Sequence, residues 1–133
     1  MRLPTSSTSP AALRQQYIEQ ARRHRAAAPQ LRAAFPKVQQ LRFELKFGGT
    51  TPNTPASQSH VLHPPARAFF VLPCPYADCD GRFDLTAVVN LLLADRLSKV
   101  EGTLQCQGHR PERLAMRAPC QLHLSYEFTV TYH

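Results

Sequence analysis

Four cysteines, Cys74, Cys79, Cys106 and Cys120, stand in the second half of this 133-residue chain, and any fold has to give them a purpose. Cys74 and Cys79 form a Cys-x4-Cys pair that runs into Asp80-Gly81. Cys106 opens Cys-Gln-Gly-His, and Cys120 follows Ala-Pro. Zinc takes four soft or borderline ligands in a tetrahedron, and a pair on a tight turn delivers two at once. Pro73 and Pro75 bracket Cys74 and reduce the freedom lost when that turn is ordered. One structural Zn2+ held by Cys74, Cys79, Cys106 and Cys120 is therefore the expected cofactor. His109 is the alternate fourth ligand in place of Cys120, because Cys106-x2-His109 has ligand spacing of its own. Two disulfides or four buried thiols remain as alternatives. The N-terminus has no apolar core like that of a secretory signal, which disfavours disulfides.

The length suits one domain with little room for a second core. Residues 1–9, rich in Ser and Thr, read as a disordered leader, with a composition like that of some organellar transit peptides. Residues 10–36 form a basic helical segment. Ser9 caps a helix from Pro10 to Ala28, whose thin apolar side carries Leu13, Tyr17, Ala21 and Ala28, and a short turn follows over Leu31–Phe35. A helix with so little to bury is expected to dock weakly or to wait for a partner.

From Val38 the pattern changes to period two. Leu41, Phe43, Leu45 and Phe47 alternate with Arg42, Glu44 and Lys46, as in a half-buried antiparallel strand. Residues 48–59 read as a loop, and a second strand is expected over Ala66–Pro73. Asp84 is placed as the N-cap of a helix over Leu85–Leu97, with Leu85, Val88, Val89 and Leu92 on one side. A third strand spans Lys99–Cys106. In the fourth, Leu122, Leu124, Tyr126, Phe128, Val130 and Tyr132 share a face. Residues 38–133 are thus expected to form a zinc-binding α+β domain. Its mainly antiparallel four-stranded sheet has one covering helix, in the order β-β-α-β-β. If the last two strands pair as a hairpin, Cys106 and Cys120 meet at one end of the sheet, near Cys74.

Residues 74–120 resemble zinc-ribbon proteins, in which two cysteine-bearing turns are held on a small sheet. The stretch Cys79-Asp80-Gly81-Arg82-Phe83-Asp84-Leu85 also resembles small bacterial zinc-binding proteins of uncharacterised family. The chain departs from the ribbon pattern in its Cys-x4-Cys spacing and in the helix between the two halves of the site. The resemblance implies a metal site and no particular activity.

The net charge of +7 is concentrated in residues 1–47, which hold nine Arg and Lys against Glu19 and Glu44; the remainder is neutral. Arg14, Arg22, Arg23, Arg25 and Arg32 are the candidates for contacting a nucleic-acid backbone, although aromatic residues for base stacking are few among them. A solvated helix face is the plainer account of those charges. No apolar run approaches the roughly 18 residues of a membrane span, so a cytoplasmic protein without a membrane partner is expected. Glu101 and Glu112 lie near the cysteines only in sequence, and no nucleophile motif surrounds the serines, so no enzyme activity and no small-molecule substrate are assigned. His60 and His63 read as loop histidines, and Asp78–Gly81 as a turn rather than a calcium loop. The expected role is a protein-interaction or accessory module with an unidentified protein partner, and nucleic-acid binding is the alternative.

Overall fold

The two clearest period-two segments become the two longest strands, β1 (Val38–Gly48) and β8 (His123–Tyr132), in a computed structural model that describes residues 9–49, 54–112 and 115–133. They pair antiparallel, with Leu41 opposite Val130, Phe43 opposite Phe128 and Leu45 opposite Tyr126. β2 (Gln58–Leu62) adds to the outer side of β1, and β5 (Lys99–Gln105) to the outer side of β8. The result is an α+β fold around a four-stranded antiparallel sheet, β2-β1-β8-β5. Leu41, Phe43, Leu45, Leu124 and Phe128 are buried on one face, while Arg42, Lys46, Ser125 and Thr103 are exposed.

That apolar face needs a cover, and α3 (Thr86–Ala94) supplies it with Val89, Leu92 and Leu93. Phe43 and Phe128 stack with ring centroids 4.6 Å apart, and Phe70 meets Phe43 edge-on at 6.2 Å. The helix is shorter than the sequence pattern suggests. Asp84 does not cap it: Leu85 occupies the N-cap position without a side-chain bond, and Asp84 Oδ1 accepts from the Thr86 amide at 3.0 Å. At the other end Arg96 adopts φ 52°. The Leu97 amide donates to the Leu92 carbonyl and the Arg96 amide to that of Leu93. This is a Schellman ending with arginine where glycine is usual, so the sequence carries no stop signal there.

The second strand is the other correction. The sheet takes Gln58–Leu62, part of which falls in the expected loop. Of the segment 66–73 only Val71–Pro73 is a strand, β3, and it pairs with β4 (Arg82–Asp84) outside the main sheet. β2 does alternate, but its inward residues Gln58, His60 and Leu62 are largely polar because they lie at the rim of the core. Residues 64–68 instead hold the N-terminal segment. The amides of Leu31 and Arg32 donate to Ala66 and Pro64, and the Ala68 amide donates to Pro29.

α1 (Pro10–Ala27) is capped by Ser9, whose Oγ accepts from the Ala12 amide at 3.2 Å, and α2 (Leu31–Ala34) buries Leu31 completely. α1 packs chiefly on β3 and on β6 (His109–Glu112), which pairs with β7 (Ala115–Pro119). The leader expected over residues 1–9 lies outside the described residues except for Ser9. Among the described residues no helix is long and apolar enough to cross a membrane.

Removing one ring of the central stack should cost more than any surface change nearby. Phe128→Ala is expected to destabilise the fold by about 3–5 kcal/mol, and Thr103→Ala, exposed on the edge strand β5, by no more than about 0.5 kcal/mol. Urea unfolding followed by circular dichroism measures both.

Candidate metal centre

The β3–β4 hairpin is closed by a turn that runs from Cys74 to Gly81. The Cys74 amide donates to the Gly81 carbonyl at 3.0 Å, and the Cys79 amide to the Tyr76 carbonyl at 3.2 Å. Cys74 leaves the end of β3, and the turn carries Cys79 back beside it. The second pair comes from the β5–β8 ladder. Beyond its last pair, Gln105 with His123, the Cys106 amide donates to the Leu122 carbonyl at 2.9 Å. The Cys120 amide donates to the Gly108 carbonyl at 2.9 Å, where the chain passes into the β6–β7 hairpin. β5 and β8 do pair antiparallel, as the cysteine argument requires, but through this inserted hairpin rather than a simple turn.

All four cysteines are buried, and their sulfurs lie within 4.8 Å of one another, with Cys79 and Cys106 only 3.7 Å apart. A tetrahedron of ~2.3 Å metal–sulfur bonds has edges of about 3.8 Å, so four thiolates at these positions fit one ion. Backbone hydrogen bonds to the sulfurs favour the thiolate form, against the burial that opposes it. The Gly81 amide donates to Cys79 Sγ at 3.3 Å and the Gly108 amide to Cys106 Sγ at 3.4 Å. Backbone hydrogen bonds from Tyr76 and Leu122 act in the same sense on Cys74 and Cys120. Each sulfur therefore receives support from the residue two positions on.

Without a cation the four thiols cannot all ionise. Hydrogen bonds from Cys74 and Cys79 pull Cys106 below its ordinary value. The same hydrogen bonding with Cys106 pushes Cys74 and Cys79 up, and burial raises Cys120. A divalent ion removes this conflict by neutralising part of the clustered charge.

Two glycines let the hairpins meet. A Cβ on Gly108 would stand 2.3 Å from the Gly81 Cα and amide nitrogen, and one on Gly81 would stand 2.5 Å from Cys106 Sγ. Asp80 clamps the approach: its Oδ1 accepts from the His109 amide at 2.6 Å, and its own amide donates to the His109 carbonyl at 3.2 Å. The His109 ring lies outside the sulfur cluster, with Nδ1 3.9 Å from Asp80 Oδ1.

The basic side chains near the site have other partners. Arg110 bonds Asp78 at 2.8 Å and lies 3.7 Å above the centre of the Tyr76 ring. Arg82 lies over the Tyr17 ring at 4.8 Å. Arg14, expected on an outward basic face, is half-buried and donates from Nη1 to the Cys74 carbonyl. Arg22, Arg23, Arg25 and Arg32 are exposed. Gly81, Gly108, Asp80 and Arg14 are the contributors that sequence reasoning missed at this centre. The repeated Cys-x-Gly, Cys79-Asp80-Gly81 and Cys106-Gln107-Gly108, carried the signal for the glycines.

Comparison with protein-family models, curated proteins and solved structures found no match. The class of centre is therefore defined by its own geometry, a cluster of four buried cysteines that could hold a metal ion at the junction of two hairpins.

Backbone in the path of an added methyl cannot move aside cheaply. Gly108→Ala is expected to separate the hairpins and lower bound metal well below one ion per chain. Gln107→Ala, exposed one residue earlier, should leave it unchanged, with elemental mass spectrometry as the readout.

Proposed function

We propose that the four cysteines hold one zinc ion as a structural centre, and that the protein is a non-catalytic interaction module that docks on a protein partner. The observation that carries the metal reading is the set of four buried sulfurs, each supported by a backbone amide. A borderline-soft ion of tetrahedral preference suits four thiolates, and full coordination by protein leaves no position for a reacting water. The zinc is thus a fastening for β3–β4 and the β5–β8 ladder. The edges of the sheet support docking, because among the described residues β2 and β5 each have a neighbouring strand on one side only. An extended segment of a partner can add to such an edge through main-chain hydrogen bonds. Leu97, 39% exposed just before β5, offers an apolar contact beside that edge.

Elemental analysis of protein purified without added metal tests the centre. One zinc per chain is expected, lost in Cys120→Ala and retained in His109→Ala. The reverse pattern would move the site to three cysteines and His109, and the absence of zinc in the parent would remove the centre altogether.

A second reading, nucleic-acid binding, is favoured by how α1 sits. Its apolar side faces the hairpins, leaving Arg22, Arg23 and Arg25 exposed, with Arg32 exposed on α2. Only Arg22 has a carboxylate close by on the helix, Glu19 at 3.2 Å, and so exposed a pair contributes little. Replacing Arg22, Arg23 and Arg25 together by alanine is expected to weaken binding of a short oligonucleotide. The slope of log affinity against log salt should fall by up to roughly 3. Fluorescence anisotropy reads both quantities. Binding that the parent lacks at low salt, or that ignores the substitutions, would leave the protein-docking reading alone.

A further inference from the structure

α1 has little of its own to hold it in place. Its buried residues are Pro10 and Ala21, and Leu13, Arg14 and Tyr17 are half-buried along the same side. That side rests chiefly on β3 and β6, which belong to the two cysteine-bearing hairpins. Its polar fastenings go the same way. Arg14 Nη1 donates to the carbonyl of Cys74, itself one of the four cysteines, and the Tyr17 ring lies beneath Arg82 of β4. The Tyr17 hydroxyl is buried and has no hydrogen-bond partner among the described residues, so that contact contributes packing at some polar cost.

The other end of the helix is secured differently. Arg67 Nη1 donates to the Ala28 carbonyl at 2.9 Å, and Leu31 and Arg32 bond Ala66 and Pro64. Arg25 lies 5.2 Å above the Phe69 ring. Leu31 is fully buried in the core. These ties do not pass through a cysteine. The helix ends at Ala28, where the backbone leaves helical geometry ahead of Pro29.

We infer that metal occupancy controls the docking of the N-terminal half of α1, so that the centre works as a latch on the basic helix. The inference rests on the reading of the cysteines as a zinc site. With the ion bound, the Cys74 turn holds its carbonyl toward Arg14 and the hairpins present one surface to Leu13, Arg14 and Tyr17. With the ion gone, clustered thiols no longer fix that turn, and Arg14 loses its acceptor. A solvent-exposed helix of this length is marginal on its own, so its free half frays. The ties at residues 28–32 keep it attached. The released half would turn Arg14 outward, adding a cation to the exposed arginines of the same helix.

Hydrogen–deuterium exchange on the full zinc-loaded chain, before and after EDTA, tests this. Exchange at residues 14–20 is expected to rise about tenfold or more on metal removal, while amides of β1, β8 and Leu31 keep their protection. Arg14→Gln with zinc bound should release the same residues while retaining one zinc per chain. Unchanged exchange in α1 on metal removal overturns the latch, and so does an unchanged Arg14→Gln variant. Loss of protection in β1 and β8 together with α1 also overturns it, since the ion would then hold the whole fold. Zinc content measured on the starting sample separates these failures from failure of the metal reading. A chain that takes up no zinc removes the centre and the latch together.

Discussion

Four sulfurs brought within 4.8 Å in a buried setting repel one another as soon as more than one is ionised. Everything around the site can be understood as a response to that constraint. Backbone amides point at the sulfurs, two glycines allow the hairpins to close to main-chain contact, and Asp80 bridges from one turn to the other. The turn of β3–β4 and the start of β6–β7 meet at the sulfur cluster, beside the end of the β5–β8 ladder. The aromatic stack of Phe43 and Phe128 organises the sheet, and the sulfur cluster organises what stands at its end.

Strong periodicity and spacing were legible, whereas terminations and short pairings were not. β1 and β8 announce themselves because each sends every second residue into one core. β2 hides because its inward positions are Gln58, His60 and Leu62 at the rim, where burial does not demand an apolar side chain. The end of α3 hides for a different reason, since Arg96 adopts a left-handed conformation that glycine would have advertised. β6 and β7 contain Pro111 and Pro119, residues that argue against strands, yet the two segments pair beyond the cysteines. The meeting of Cys106 with Cys120 followed from the pairing of β5 with β8, whereas Cys74 and Cys79 arrive on a hairpin outside the main sheet. The backbone hydrogen bonds to the sulfurs needed the three-dimensional path of the turns.

The arginines of α1 show how one sequence cluster divides once it is folded. Sequence places Arg14 with Arg22, Arg23 and Arg25 as a single basic surface, but helical periodicity turns Arg14 toward the hairpins. There its long side chain spans to a main-chain carbonyl, a use of arginine governed by reach and donor geometry rather than by net charge. The remaining cations near the C-terminal end of α1 also complement its dipole, and Arg67 supplies a donor to a carbonyl there.

The position of β8 has a consequence for how the chain comes to be folded. It is the last strand in sequence, yet it lies between β1 and β5 in the sheet. As the polypeptide emerges during synthesis, β1 can meet β2, but its other edge and much of its apolar face stay unpaired until β8 arrives. Contacts this distant along the chain slow folding, and they leave Phe43 and its neighbours exposed for the interval. A nascent chain halted before residue 123 would carry all four of its cysteines and its helices without the strand that joins them into one structure.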